Sequence, residues 1–375
     1  MKHTTILGST GSVGRQAVEV CARLGYPLVA LTACRGAALL EAQARRHRPL
    51  AVALADEPAA RGLRAALRDT PIQVLSGPEG VAACAAMQAD CVLNAIVGIA
   101  GLRSTVAALE AGNPLALANK ESLVAGGALV MQLSKERNLP ILPVDSEHSA
   151  VFQCLQGRCP PQRIILTASG GAFYGKSRED LAHATAADAL RHPTWSMGAK
   201  ITVDSATMMN KGFEVLEAAW LFGVPPPRVE VLVHRQSVVH SLVEFADGAV
   251  LAQLGVPDMR LPIQYALTHP AREALPGGRL NLAALGTLTF EAADEEAFPA
   301  VALCRAAFDR GGLACAALNG ANEAANALFR EGKLAFLEIT RLAREAVQRA
   351  PEGDAASLEE IFAADRAARE FILGR

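Results

Sequence analysis

The feature that most constrains the fold is a glycine turn near the start of the chain. Residues 2–7 predict a strand, and Gly8, Gly11 and Gly14 follow it at once. Apolar residues then recur at helical spacing, and residues 28–33 form another apolar run. This order of strand, tight turn, helix and strand predicts a βαβ unit.

Short apolar runs continue to alternate with alanine-rich helical segments, and this alternation predicts a parallel sheet covered by helices on both faces. The further strands that we expect are residues 50–54, 73–75, 91–95, 114–118 and 140–144. After them the pattern changes to irregular stretches with β-type runs at 163–167, 229–234 and 250–254, followed by prolines and then by helical periodicity. We therefore predict an α/β protein with an N-terminal Rossmann-like parallel sheet at 1–145, a central α+β domain at 146–275, a linker at 276–296 and a C-terminal helical bundle at 297–375.

Charge and hydropathy exclude several classes of partner. The chain has 36 Lys and Arg against 38 Asp and Glu, so no basic field attracts nucleic acid or an anionic membrane surface. Its longest uncharged stretch, residues 122–134, is shorter than the roughly 20 residues of a membrane-spanning helix. No apolar segment typical of a signal peptide follows the N-terminus. We expect a cytoplasmic protein whose eight cysteines are reduced and bind no zinc.

The glycine turn itself predicts a phosphate-binding site, because its backbone N–H groups and the following helix end can approach a pyrophosphate. Its spacing is G-x-x-G-x-x-G, and a turn that only needs positive φ is the alternative. Where NAD-selective domains carry an acidic residue after the second strand, this chain has Cys34-Arg35-Gly36. Arg35 suits a ribose 2′-phosphate, so the cofactor should be NADPH, unless Arg35 is simply a solvated surface residue.

Carboxylates predict a metal site. Asp145 and Glu147 stand two residues apart after a predicted strand, and in an extended segment both would point the same way, although a solvated edge would show the same pattern. If residues 203–214 are helical, Asn210 and Glu214 lie one turn apart. Three carboxylates without a His or Cys ligand pattern favour Mg²⁺ or Mn²⁺ over zinc.

The same region is rich in hydrogen-bond donors suited to a phosphate group. These donors are His192, Ser205, Asn210 and Lys211. Other residues there have plainer explanations: Asp204 would cap a helix, and Met208 and Met209 would belong to the core.

With these segments on view, the chain closely resembles the family of 1-deoxy-D-xylulose 5-phosphate reductoisomerases, NADPH-dependent enzymes of the non-mevalonate isoprenoid pathway. The segments that carry the resemblance are GSTGSVG at 8–14, LANKESLV at 117–124, PVDSEHSA at 143–150, ASGGAF at 168–173, HPTWSMGAKITVDSATMMNKGFE at 192–214, LAQLGVPDMR at 251–260 and LNGANE at 318–323.

The resemblance implies roles for individual residues. The residues implied to contact NADPH are Thr10, Gly11, Ser12, Val13, Arg35, Asn119, Glu121 and Gly198. The residues implied to bind the sugar phosphate are Lys120, Ser146, Ser169, His192, Trp195, Met197, Ser205, Asn210 and Lys211. The metal ligands would be Asp145, Glu147 and Glu214, holding Mg²⁺ or Mn²⁺ with Co²⁺ as a further candidate, and Lys120 would join them as a catalytic group. Trp195 and Met197 would lie on a flexible lid, and the protein would be a homodimer.

The implied reaction rearranges 1-deoxy-D-xylulose 5-phosphate and reduces the product to 2-C-methyl-D-erythritol 4-phosphate. Two other functions remain open: a semialdehyde dehydrogenase with Cys154 as nucleophile, which would leave the carboxylates idle, and an NADPH-binding redox sensor without catalysis. The chain also departs from the family pattern at three places. These are Cys34 and Gly36 beside Arg35, Ala172 where proline is common, and Arg235 in place of the proline of an HPQS-like motif.

Overall fold

The apolar runs of the N-terminal part form one parallel sheet in the computed structural model, which describes residues 2–156, 159–195, 197–352 and 357–374. Its strands are β1 (Thr4–Leu7), β2 (Leu28–Ala33), β3 (Ala51–Leu54), β4 (Gln73–Ser76), β5 (Cys91–Asn94), β6 (Leu115–Leu117) and β7 (Ile141–Pro143). They run in the order β4-β3-β2-β1-β5-β6-β7, with every neighbouring pair parallel. All strands except the edge strand β4 are largely buried, which explains their continuous apolar sequence.

A second sheet lies further along the chain. Its strands are β8 (Arg163–Ala168), β9 (Val229–Val233), β10 (Val239–Glu244), β11 (Val250–Leu254) and β12 (Glu291–Ala292). The order is β11-β10-β8-β9-β12; β8 and β9 are parallel, and the other pairs are antiparallel. The sequence analysis missed β10 because His240 and Ser241 interrupt its apolar run, yet both side chains are buried.

Helices connect and cover the two sheets. In chain order they are α1 (Ser12–Leu24), α2 (Ala37–His47), α3 (Glu57–Ala66), α4 (Gly77–Ala86), α5 (Ala100–Glu110), α6 (Glu121–Arg137), α7 (Ser146–Leu155), α8 (Arg178–Leu181), α9 (Ala186–Ala189), α10 (Ala199–Ala206), α11 (Met209–Phe222), α12 (Arg260–Thr268), α13 (Leu282–Leu285), α14 (Ala300–Arg310), α15 (Ala314–Arg330), α16 (Phe336–Arg349) and α17 (Leu358–Leu373), with a 3₁₀ turn at Pro226–Arg228. The predicted fold class, a Rossmann-like sheet followed by an α+β region and C-terminal helices, is confirmed.

The chain divides into two compact units. The first unit comprises Met1–Ser122, Val130–Ser149 and Met259–Pro276 and contains the parallel sheet. The second unit comprises Leu123–Leu129, Ala150–Asp258 and Gly277–Arg375 and contains the mixed sheet. In the first unit α12 packs on α1, and Lys2 Nζ donates to Leu267 O at 2.9 Å. The finer division into three domains and a linker stays a prediction.

Close helix packing is the main feature of the core of the second unit. Gly212 of α11 faces α14 so closely that a Cβ atom there would lie 2.5 Å from Cys304 Sγ and 3.1 Å from Ala300 O. Both Met209 and Cys304 are fully buried beside it. Glycine is therefore required at this crossing because no side chain fits.

We expect Gly212→Ala to destabilise the protein. Overpacking a core costs about 1–3 kcal/mol, against up to about 1 kcal/mol that alanine gains over glycine in a helix. Gly62→Ala in α3 is the matched control, because nothing lies within 4 Å of its added Cβ, and it should be neutral or stabilising. Urea unfolding followed by circular dichroism measures both; equal free energies of unfolding for the two variants would show that α11 and α14 have room.

Candidate active site

The glycine turn lies where the strand order of the first sheet reverses. β1 pairs with β2 on one side and β5 on the other, and ligands of such sheets bind at the carboxyl ends of the strands at this point. Gly8 has φ +78°, and a Cβ at Gly14 would lie 2.1 Å from Gly8 O. Gly11 precedes α1 without a side-chain cap, and Ser12 is exposed. The turn itself therefore requires glycine at positions 8 and 14, and pyrophosphate binding at the exposed end of α1 stays a prediction.

Arg35 lies at the same edge of the sheet. It follows β2, and a Cβ at the neighbouring Gly36 would lie 3.2 Å from Thr10 Oγ1, so the two turns adjoin. The Arg35 side chain is 81% exposed, with Nε 3.2 Å from Asp56 Oδ2. Asp56 is itself engaged, because it accepts the Ala59 N–H and caps α3. Arg35 is therefore a solvent-facing cation beside the glycine turn.

Asn119 connects the loops beyond β5 and β6. Its Nδ2 donates to Ile96 O at 2.7 Å, to Gly98 O at 2.9 Å and to Glu121 Oε2 at 3.0 Å. Its Oδ1 accepts the Ser122 N–H at 3.0 Å. Asn119 and Glu121 are thus buried parts of the frame at the carboxyl edge of the sheet, and their implied contact with NADPH stays a prediction.

The first carboxylate pair is placed differently from the prediction. Residues 145–147 are not extended: α7 begins at Ser146, and the Ser149 N–H donates to Asp145 O at 2.8 Å. The expected extended segment at Asp145 and Glu147 is wrong, because the chain turns into a helix directly after β7. Both carboxylates instead lie at the positive end of a helix, which stabilises their charge.

Lys120 provides the counter-charge. Its Nζ lies 2.7 Å from Asp145 Oδ2, and the two side chains are only 7% and 15% exposed. Ser146 Oγ donates to Glu147 Oε2. The first unit therefore brings together Lys120, Ser146 and the two predicted metal ligands.

In the second unit, the polar helix exists as predicted but in two pieces. Met208 has φ +62°, and this residue separates α10 from α11. Within α11, Asn210 Nδ2 and Lys211 Nζ each lie 2.5 Å from a Glu214 carboxylate oxygen. Glu214 is 1% exposed, so Lys211 neutralises a buried charge. Met208 and Met209 are core residues, as predicted.

Ser169 and His192 form a second polar group. His192 Nδ1 accepts the backbone N–H groups of Thr194 at 3.2 Å and Trp195 at 2.9 Å. The proton of the neutral ring is therefore on Nε2, which lies 3.0 Å from Ser169 Oγ. Since Ser169 Oγ accepts this proton and also the Gly171 N–H at 3.3 Å, its own hydroxyl hydrogen can be donated to a ligand.

The proposed lid residues, Trp195 and Met197, come shortly after His192 in the chain. A cleft of about 420 Å³ is lined by Leu190, Arg191, His192, Pro193, Thr194, Trp195, Met197 and Thr202. Trp195 and Met197 are half-buried, and the Trp195 ring centroid lies 6.5 Å from that of His240. Ser196 of the same motif is outside the described residues, and Gly198 directly precedes α10.

Asp204 is a residue whose role the sequence reasoning missed. It does not cap a helix but lies inside α10, 2% exposed. Its Oδ1 accepts from Asn322 at 2.9 Å and Asn326 at 2.8 Å, and Lys200 Nζ lies 2.9 Å from Oδ2. This network fixes α10, which carries Ser205, against α15. The asparagines of the LNGANE segment and beyond were the available signal.

These features define a class of enzyme: one that binds a dinucleotide at a glycine turn and has buried, lysine-compensated carboxylates. Asp145 and Glu147 belong to the first unit and Glu214 to the second, and their joint role stays a prediction. No helix among the described residues combines the length and apolar character needed to cross a membrane.

Comparison with known proteins identifies the family. The model for 1-deoxy-D-xylulose 5-phosphate reductoisomerase matches residues 4–127, and two models for C-terminal domains of that enzyme match residues 141–222 and 254–371. The chain belongs to the 1-deoxy-D-xylulose 5-phosphate reductoisomerase family. A curated member from Agathobacter rectalis is 49% identical, with 100% of both chains covered, and one from Gloeobacter violaceus is 50% identical, covering 99% of this chain and 97% of its own.

Comparison with solved structures points to the same family. The Zymomonas mobilis reductoisomerase in complex with NADPH is 40% identical with a TM-score of 0.93, covering 100% of this chain and 98% of its own. A reductoisomerase in complex with NADPH, fosmidomycin and magnesium is 38% identical with a TM-score of 0.95 and the same coverage.

The Ser169–His192 pair generates a prediction about pH. Burial, together with the charge of Arg235, lowers the pKa of His192 below its usual value. Near pH 6 the unfolded chain therefore binds a proton at this residue that the folded chain rejects, so stability falls as the pH drops below about 6.5. Between pH 7 and about pH 5.5, His192→Gln should lose less unfolding free energy than the wild type. An equal or larger loss in the variant would contradict the neutral assignment.

Proposed function

We propose that this chain converts 1-deoxy-D-xylulose 5-phosphate into 2-C-methyl-D-erythritol 4-phosphate, using NADPH and a divalent metal ion. Membership of the reductoisomerase family over nearly the whole chain carries this proposal. The polar groups of both units support it, because they supply what a nucleotide, a hard cation and a phosphate each need.

For the cofactor, the first N–H groups of α1 would donate to the pyrophosphate and the Arg35 guanidinium to the 2′-phosphate. The solved relative from Zymomonas mobilis was a complex with NADPH. We propose that the nucleotide is held by Thr10, Gly11, Ser12, Val13, Arg35, Asn119, Glu121 and Gly198.

For the metal, the donor set fits Mg²⁺ or Mn²⁺, with Co²⁺ as a further candidate, because all three proposed ligands are carboxylates. We propose Asp145, Glu147 and Glu214 as these ligands; a related reductoisomerase was solved with magnesium. When bound, such an ion polarises the substrate carbonyl as a Lewis acid. Lys120 and Lys211, which already lie against two of these carboxylates, add positive charge where oxygens become negative during the rearrangement.

For the sugar phosphate, the second unit offers converging donors. Ser169 can donate its hydroxyl hydrogen because His192 and Gly171 already occupy its acceptor side. Lys211, Asn210 and Ser205 would complete the phosphate site, and Ser146 and Lys120 would contact the reacting end. Trp195 and Met197 would exclude water while the carbon–carbon bond is broken and before hydride reduces the aldehyde.

The alternative functions are less well supported. Cys154, the nucleophile of a semialdehyde dehydrogenase, is 6% exposed inside α7 and belongs to the apolar core. A redox sensor without catalysis leaves the Asn210–Lys211–Glu214 group unexplained. We also propose a homodimer that functions in the cytoplasm. The dimer rests on the family resemblance, and light scattering of the purified protein tests it; the cytoplasmic location rests on the sequence, which has no segment typical of a signal peptide after its N-terminus.

Arg35 should set the cofactor preference. A charge-assisted hydrogen bond contributes about 1.5–3 kcal/mol, so Arg35→Gln should raise the KM for NADPH about 10-fold or more and change that for NADH by less than about 2-fold. Steady-state kinetics with both cofactors measures this, with Arg64→Gln in α3 as a control. An equal response of NADPH and NADH would show that Arg35 does not meet the 2′-phosphate.

Glu214 should be required for metal-dependent turnover. Glu214→Gln removes one ligand charge and the ion pair with Lys211, so activity should fall roughly 100-fold or more, with a higher Mg²⁺ requirement. Asp145→Asn and Glu147→Gln should behave alike, and NADPH affinity should barely change.

The control for these variants is Glu230→Gln, a carboxylate of the mixed sheet that pairs with Arg163; it should leave Mg²⁺ dependence unchanged. If Glu214→Gln kept normal turnover and metal dependence while Asp145→Asn abolished both, Glu214 would not be a ligand.

A further inference from the structure

The turn between β9 and β10 carries an exposed positive charge. Here the chain has His234-Arg235-Gln236-Ser237. His234 is fully buried and fixes the turn: its Nδ1 lies 2.8 Å from Thr289 O, and its Nε2 accepts the N–H groups of Val238 and Val239 at 3.2 and 3.1 Å. The hydrogen bonds of His234 therefore make the turn rigid, and position 235 does not need a proline for this purpose.

The exposed Arg235 has a defined position. Its guanidinium carbon lies 4.5 Å from the centroid of the Tyr174 ring. The Tyr174 hydroxyl in turn donates to Glu291 Oε2 at 2.5 Å. Cation–π stacking of this kind holds an arginine over the ring face while leaving its N–H edge accessible.

Tyr174 belongs to the glycine-rich loop that begins at Ser169. Gly170 lies against the Tyr174 ring, since a Cβ there would be 2.9 Å from Cδ2. The loop thus links the position of the Arg235 guanidinium to that of the Ser169 hydroxyl.

The charge of Arg235 also acts on His192: burial, and after it the positive charge of Arg235, lowers the pKa of that ring. Among the described residues, no carboxylate lies within ion-pair distance of Arg235. Its positive charge is therefore not cancelled by a direct partner; Glu291 contacts the Tyr174 hydroxyl instead.

We propose that Arg235 is a specificity-determining residue of this chain, which attracts the phosphate dianion of the substrate toward the Ser169–His192 pair. The inference rests on the proposed function and deepens it. A phosphate carries nearly two negative charges at pH 7, so an uncancelled cation near its site favours the dianion over analogues of lower charge. Because Arg235 is exposed, the attraction is screened by salt.

Kinetics at two ionic strengths test the inference. At low salt, Arg235→Gln should raise the KM for deoxyxylulose phosphate about 5-fold, as loss of about 1 kcal/mol predicts, with kcat within about 2-fold. The KM of the variant should also depend less on salt than that of the wild type. Arg235→Lys should keep most of the wild-type affinity for the substrate and most of the wild-type salt dependence of KM. Arg228→Gln is the matched control, since it removes another exposed positive charge of the same unit, at the opposite end of β9.

Two further measurements test whether the charge of Arg235 acts on the site itself. In Arg235→Gln the pKa of His192, followed by NMR, should rise toward its usual value, a result that needs no turnover. Inorganic phosphate should compete with substrate less well in this variant than in the wild type.

Unchanged KM and salt dependence in Arg235→Gln would overturn the inference, as would a lysine variant as impaired as the glutamine variant. A changed oligomeric state with unchanged KM would assign Arg235 to a subunit interface instead. If the wild type did not turn over deoxyxylulose phosphate while the pKa of His192 still responded, the proposed function would fail and the local electrostatics would stand.

Discussion

Compensation of buried carboxylates is the constraint on which the site depends. A carboxylate removed from water is strongly destabilising unless a cation or several donors lie against it. Three lysines meet this need: Lys120 against Asp145, Lys200 against Asp204 and Lys211 against Glu214. Each pair is held on a helix or at a strand end, so the side chains are fixed in place before any ligand arrives. Preorganisation of this kind lowers the cost of binding a cation or an anion.

Neutral polar side chains are also held in fixed orientations, by hydrogen bonds to backbone groups. His192 is held in one tautomer by two backbone N–H groups, and that tautomer decides that Ser169 acts as a donor. Asn119 uses its amide to join two loops at the carboxyl edge of the parallel sheet. In both cases a backbone contact, which no substitution nearby alters easily, sets the direction of a side-chain hydrogen bond.

The sequence predicted what depends on local pattern. Apolar runs such as residues 28–33 gave strands because buried parallel strands have continuous apolar sequence, and the spacing of Asn210 and Glu214 placed them on one helix face. Prediction from the sequence failed where a single residue ends a local pattern. It also failed where the partners of a side chain lie far away in the sequence. The helix beginning at Ser146 overturned the extended reading of Asp145 and Glu147, and the Asp204 partners lie 118 and 122 positions away. The roles of Asn119 and Gly198 came only from the family resemblance.

The departure at Cys34 gives the chain an intrinsic chemical label. Burial raises the pKa of Cys84 and of Cys91 to about 12, which leaves these thiols almost inert toward alkylating reagents. Among the described cysteines, the exposed ones are Cys34 and Cys159. Cys34 adjoins Arg35, so a nucleotide held by Arg35, as proposed, would shield it, whereas Cys159 lies in the other unit. The ratio of their alkylation rates would then report nucleotide occupancy in the unmodified protein, without an introduced probe.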